Sequence, residues 1–223
     1  MASSSQKADE HRAAAATEGL GRRDRGKLEK YRRITESARA VFREKGFDAA
    51  TTREIADRAD IAIATLFVYA KDKRDLLFML INDELDGILS KQFKTQPKSD
   101  ALLSRIVHIF ACQYQYLVAD IMLSRAAMRE SFAFERENED DGPQVKRWRE
   151  RHRRGLDYLT KLIEEEKKTG GVRPDVDPSL VAWLIVSVYR AQTLRWLSEE
   201  NPTAKKGIKD LEEVMGLLVN GIV

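Results

Sequence analysis

Apolar residues recur along this chain at spacings of three and four, and no stretch alternates with the two-residue period of a strand. The first such stripe is Leu28, Tyr31, Ile34, Ala38, Val41 and Phe42, which predicts a helix from about Leu28 to Lys45. Gly46 is placed to end it in a left-handed conformation, with Phe47 packing back on the last turn. Thr51 and Glu54 then read as a capping box opening a short helix that turns Ile55, Ala56 and Ala59 inward. That helix breaks near Asp60, with Ile61 plugging the turn, and a third short helix runs from about Ile63 to Tyr69. Asp72 and Asp75 cap a long fourth helix carrying Leu76, Leu77, Leu80, Ile81, Leu85, Ile88 and Leu89, which ends before Pro97.

Five more helices follow. One is capped by Asp100, and one covers roughly Asp120 to Arg136. The third opens on Pro143 after the acidic stretch Glu135–Asp141 and stops at Gly170-Gly171, and the last two open on Asp177-Pro178 and Asn201-Pro202. The expectation is therefore an all-α chain of about nine helices, with no internal repeat. Its organisation reads as a disordered basic tail over 1–26, a compact three-helix unit extended by the fourth helix over 28–88, and a helical domain over 89–223.

Composition narrows the class. The 223 residues are 43% hydrophobic and 34% charged, the balance of a globular chain. The net charge of +3 is unevenly spread: residues 1–80 hold 17 Lys and Arg against 13 Asp and Glu, while the rest hold 22 against 23. A phosphate-binding face produces such an excess, and so does a merely solvated basic surface. The single Cys112 forbids an internal disulfide and suits a reducing cytoplasm, where a small buried residue is its plain role. No run of 18 apolar residues predicts a membrane helix, and the N-terminal residues have no apolar core of a secretion signal. The three histidines, His11, His108 and His152, lie in different segments, without metal-ligand spacing, nucleophile elbow or phosphate loop. The chain is read as no enzyme, with no metal and no cofactor.

A pair of short helices joined by a tight turn is the arrangement that places a recognition helix in the major groove of DNA. The residues sharpen this. Ala40-Val41-Phe42-Arg43-Glu44-Lys45-Gly46-Phe47, the run Ala50 to Ala59, Ala64-Thr65-Leu66-Phe67-Val68-Tyr69 and Lys71-Asp72-Lys73-Arg74-Asp75-Leu76-Leu77 resemble the TetR family of transcriptional regulators over about Leu28–Glu84. The resemblance implies a helix-turn-helix over 51–70. It gives Thr51 and Thr52 a phosphate contact and Arg53 a base edge or a phosphate. Ile63, Ala64 and Thr65 open the recognition helix, Phe67 takes the usual aromatic place, Tyr69 reaches the DNA backbone and Lys73 a phosphate. Three positions depart from the family pattern. Asp60 stands for the turn glycine, Ala62 for the capping serine, and Ala70 for a core phenylalanine whose volume falls to neighbours such as Phe67 or Phe78. A recognition helix this apolar favours methyl contacts, Arg53 and DNA shape over hydrogen-bonded base readout.

The resemblance further implies a homodimer on palindromic double-stranded operator DNA, and repression lifted by a small, mostly apolar effector. The predicted dimer helices carry Leu184, Ser187 and Ala191 on one and Leu211, Val214, Met215 and Leu218 on the other, although such stripes also serve as intrachain core. Effector contacts are expected among Phe110, Tyr114, Met122, Phe132, Phe134, Trp148, Tyr158 and Trp183, most of which also suit a plain core. The basic run Lys146 to Arg154 reads as a solvated face with one apolar residue, Trp148. The departures at Ala62 and Ala70 keep a second class open, a helical protein-interaction or adaptor module that has lost specific DNA binding.

Overall fold

The structure, a computed structural model, describes residues 21–94, 101–132 and 140–223. Among them the chain forms nine helices: α1 (Arg22–Ala49), α2 (Thr52–Arg58), α3 (Ile63–Tyr69), α4 (Lys73–Lys94), α5 (Leu102–Ala119), α6 (Ile121–Phe132), α7 (Pro143–Thr169), α8 (Pro178–Leu197) and α9 (Ala204–Asn220). Expectations for tail residues 1–20, the Asp100 cap, Phe134 and acidic residues 135–139 lie outside the described residues.

The local signals act where their chemistry places them. Thr51 Oγ1 accepts the Glu54 N–H at 3.2 Å, while Glu54 Oε2 accepts the Thr51 N–H at 3.1 Å. Asp72 Oδ1 accepts the Asp75 N–H, and Asp177 Oδ1 accepts the Ser179 N–H. Pro143 and Pro178 sit in the first turns of α7 and α8, and Gly170 closes α7 with φ 82°. Two starts differ from the sequence reading. Helix α1 begins at Arg22, inside the expected tail, because charged residues with good helix propensity carry it past the apolar stripe. Ion pairs of Arg32 with Glu29 and Glu36 support its exposed side. Helix α9 is capped by Thr203, which accepts the Lys206 N–H, rather than by Asn201.

Gly46 kinks α1 with φ 78° and ψ 162°, not the left-handed helical conformation expected of it but an extended region essentially closed to residues with a Cβ, and α1 runs on to Ala49 instead of ending near Lys45. Phe47 then packs on Phe42 with ring centroids 5.5 Å apart. A Cβ on Gly46 would meet no atom within 4 Å, so the whole cost of a substitution is in the backbone. Gly46→Ala is expected to lower stability by about 1–3 kcal/mol, read from urea denaturation. An unchanged midpoint would contradict this assignment.

Two main clusters form the interior. In the first, Ile34, Ala38, Val41 and Phe42 of α1 pack with Ile55, Leu66 and the α4 residues Leu76, Leu77 and Leu80, and Leu123 and Ala126 of α6 join them. The second gathers α5, α7, α8 and α9 around Ile106, Tyr114, Ile163, Ile185, Trp196 and Leu211. Phe78, Val145 and Trp148 make a small third cluster between α4 and α7. Helix α4 is continuous through residue 88, where the sequence reading ended its first unit. Ala70 is fully buried in the first cluster, but Phe67 is half exposed and Phe78 packs on Val145 and Trp148. Neither aromatic fills the expected space beside Ala70. Cys112 is half-buried rather than fully enclosed.

Candidate DNA-reading face and effector cavity

The turn between α2 and α3 holds Asp60, which stands for the turn glycine, at φ 50° in the left-handed region. Arg33 of α1 steadies this strained residue by donating to the Asp60 carbonyl at 2.8 Å, to its carboxylate at 3.0 Å and to the Ala59 carbonyl. Leu66 anchors α3 in the core, so its opposite side faces outward. That face presents Ala64, half-exposed Phe67 and Val68, whose relative exposure is 79%. Val68 is absent from the contacts expected from sequence, although it lies one turn beyond Ala64. Ile63 and Thr65 are only partly exposed, and Ile63 packs against the first cluster. Ala62 gives α3 no side-chain cap.

Around this face stand the remaining expected contacts. Arg53 is exposed on α2. The Thr51 hydroxyl is engaged with Glu54, leaving Thr52 at the first helical position to offer a backbone N–H. Lys73 Nζ donates to the Asp48 carbonyl at 2.7 Å and lies 4.8 Å from the centre of the Phe47 ring. That contact holds the ammonium in place without neutralising it. Tyr69 donates to the Lys27 carbonyl at 3.4 Å and meets Tyr31 edge-on.

A cavity of about 600 Å³ lies among α4, α5, α6, α7 and α8. Of the expected effector residues, Phe110, Trp148 and Tyr158 line it. The others do not. Tyr114 is buried beside the cavity but turned to Trp196 and Thr193, and burial pushes its phenol up to about 12. Met122 and Trp183 are exposed, at 57% and 56%, and Phe132 lies under the Arg190 guanidinium outside the lining. Aromatic character alone could not separate a wall from a core or a surface.

The polar part of the wall escaped the sequence reading. Gln113, Ser124, Ser131, Arg151, His152, Arg154 and Arg190 all contribute, with Asp86 facing them from α4. The basic run from Lys146 to Arg154 is accordingly not a plain solvated face. Arg147 donates to Asp83 at 2.9 Å and to Asp86 at 2.7 Å, and Arg151 donates to Asn82 at 2.7 Å and to Asp86 at 3.2 Å, so α7 clamps α4. Burial works against the Asp86 charge, but hydrogen bonds from Arg147 and Arg151 hold its carboxyl below the ordinary range. His152 stacks on Trp148, and burial together with Arg190 and Arg151 lowers its proton affinity.

The expected dimer residues also divide. Leu211 and Met215 are fully buried within the chain's own core and leave the dimer set. Val214 and Leu218 are half-buried, and Leu218 packs on that core. Helix α8 is apolar on both sides: Val181, Ala182, Ile185 and Trp196 face inward, while Leu180, Trp183, Leu184 and Leu194 are exposed next to Ser187 and Ala191. Leu217 of α9 is exposed at 77%. Among the described residues no helix is long and apolar enough to cross a membrane, and no group of side chains has a metal-binding arrangement.

Residues 34–80 match the family described as bacterial regulatory proteins, tetR family. An uncharacterised HTH-type transcriptional regulator of Bacillus subtilis, YhgD, is 25% identical over 198 residues, covering 86% of this chain and 99% of that protein. The HTH-type transcriptional repressor KstR2 of Mycolicibacterium smegmatis is 21% identical over 85% of this chain and 88% of its own. Among solved structures, the Thermus thermophilus repressor FadR in complex with lauroyl-CoA superposes with a TM-score of 0.64 at 21% identity, covering 86% of this chain and 95% of that one.

Proposed function

We propose that this chain, whose residues 34–80 match the family of bacterial regulatory proteins, tetR family, is a homodimeric repressor of that family, released from palindromic operator DNA by a small, largely apolar effector. The carrying observation is the course of α4. Its first turn holds Lys73 beside the reading unit, and Phe78, Ile81 and Leu85 further along line the cavity. A ligand that repacks the cavity acts on the same rigid element that positions α3. The exposed α3 face suits thymine methyls and groove shape, with Arg53 reading a base edge or phosphate and Thr52 and Lys73 holding phosphates. The lauroyl-CoA held by the Thermus thermophilus protein makes an acyl chain a reasonable first probe of the cavity.

Two recognition helices must lie about 34–36 Å apart to enter successive major grooves. A ligand that changes this separation weakens both half-sites together, and operator DNA must weaken ligand binding by the same factor. The test is a gel shift on genomic fragments against random DNA, followed by binding titrations on the fragment retained. Lys73→Ala is expected to weaken all DNA alike and to flatten the salt dependence by about one phosphate. Arg53→Ala is expected to cost about 1–3 kcal/mol of sequence preference if it reads a base. Equal retention of random and genomic DNA would overturn the reading and leave a helical protein-interaction module.

A further inference from the structure

The cavity is not uniformly apolar. Phe78, Ile81, Leu85, Ile109, Phe110 and Leu117 give it an oily wall, but Arg151 also enters that wall although it is only 9% exposed. One arm of its guanidinium is used: Nη1 donates to Asn82 Oδ1 and Asp86 Oδ1. The other, Nη2, is buried with no hydrogen-bond partner. A buried donor on a charged group is costly to leave unmet, and a guanidinium is shaped to bind the two oxygens of a carboxylate or phosphate. The charge around it agrees. Among the described residues, Arg151, Arg154 and Arg190 line the cavity with one carboxylate, that of Asp86, which Arg147 already engages through two nitrogens. Burial lowers the proton affinity of His152, and the neighbouring charges of Arg190 and Arg151 lower it further.

We infer that the effector is an amphipathic acid, whose apolar body packs on the α4 and α5 side of the cavity and whose oxyanion accepts from Arg151 Nη2. This rests on the regulator reading and narrows it. It also locates the coupling. The oxyanion shares the charge of a guanidinium that, together with Arg147, pins α7 to α4, so binding weakens the Arg151–Asp86 part of the hold on the helix that carries Lys73. The oxyanion has two chemical sources, a carboxylate or a phosphate ester.

The experiment compares three probes of one chain length on the purified full-length protein: dodecanoate, dodecyl phosphate and dodecan-1-ol. At least one of the two acids is expected to bind about tenfold or more tighter than the alcohol, and whichever does so identifies the source. Arg151→Met is expected to bring acid and alcohol within about threefold while retaining alcohol binding, which shows an intact cavity. Asp86→Asn keeps the shape, removes the carboxylate that shares the Arg151 charge, and is expected to widen the preference for the acid. It gives the answer if Arg151→Met does not fold. Equal affinity for all three probes, binding of none, or an acid preference that neither variant moves would overturn the inference. The regulator reading would still stand in each case, because it falls only with the gel shift.

Discussion

Asp75→Ala is expected to lower the stability of the protein by about 3–5 kcal/mol, from the loss of acceptors for several buried donors. Asp75 is the third residue of α4 and is fully buried. Its Oδ2 accepts the Lys71 N–H at 3.0 Å, in the turn leading into its own helix. Its Oδ1 accepts the N–H groups of Gln144 and Val145 at 2.8 and 2.9 Å, in the first turn of α7. Pro143 has no N–H, so these are the first donors that α7 must satisfy, and Gly142 at its N-cap has no side chain to do it. One carboxylate therefore caps a helix 69 residues away and joins the reading unit to the cavity domain. Truncation strands three backbone donors, each costing about 1–3 kcal/mol before relaxation, against a total stability of about 5–15 kcal/mol for a typical domain. Asp75→Asn keeps one oxygen acceptor and is expected to cost less. Gly142→Ala attacks the same contact from the other side, because a Cβ there would lie 2.3 Å from the Asp75 carboxyl carbon. Denaturant unfolding measures all three, and a loss below about 1 kcal/mol for Asp75→Ala would show that water replaces the carboxylate.

Leu184→Asp is expected to convert the protein to a 25.5 kDa monomer at micromolar concentration and to abolish specific operator binding. A helix apolar all round is normally covered all round, yet α8 exposes Leu180, Trp183, Leu184 and Leu194 in this chain. Ser187 and Ala191 between them are small enough to let a second helix approach. Across a two-fold axis each substitution appears twice. Two buried, unpaired carboxylates at roughly 2–3 kcal/mol each weaken a dimer by about three to four powers of ten. The monomer itself is expected to keep its fold, because Leu184 makes little of the chain's own core. Leu218→Asp is the poorer test: Leu218 packs on the second cluster, and a charge there damages the fold as well. Light scattering that still gives the dimer mass for Leu184→Asp would move the interface elsewhere.

The reading unit was legible because its determinants are local. The Thr51–Glu54 box, the Asp72 cap, the Gly46 break and the left-handed Asp60 each involve residues within a few positions of one another, and side-chain chemistry at that range is written directly in the chain. The helix stops and starts at Gly170, Pro143 and Asp177 follow from the same rule. The early start of α1 escaped because propensity without an apolar stripe leaves no periodic mark.

What lies opposite an apolar stripe was decided only by tertiary structure. Leu184 and Leu211 both lie on apolar helical stripes, yet Leu211 is buried and Leu184 is exposed. Periodicity reports that a face is oily, not whether the same chain covers it. The cavity likewise draws its wall from five helices, so Gln113, Arg151 and Arg190 gain meaning only when folding brings them together. The basic run of α7 is the clearest case. As sequence, Lys146 to Arg154 is a row of charges; in the fold, Arg147 and Arg151 meet Asn82, Asp83 and Asp86 from more than 60 residues away. Sequence thus determined the helices, their caps and the DNA-reading unit, since those depend on neighbours along the chain. The cavity, the α4–α7 clamp and the uncovered face of α8 depend on neighbours in space, which only the packing of the helices supplies.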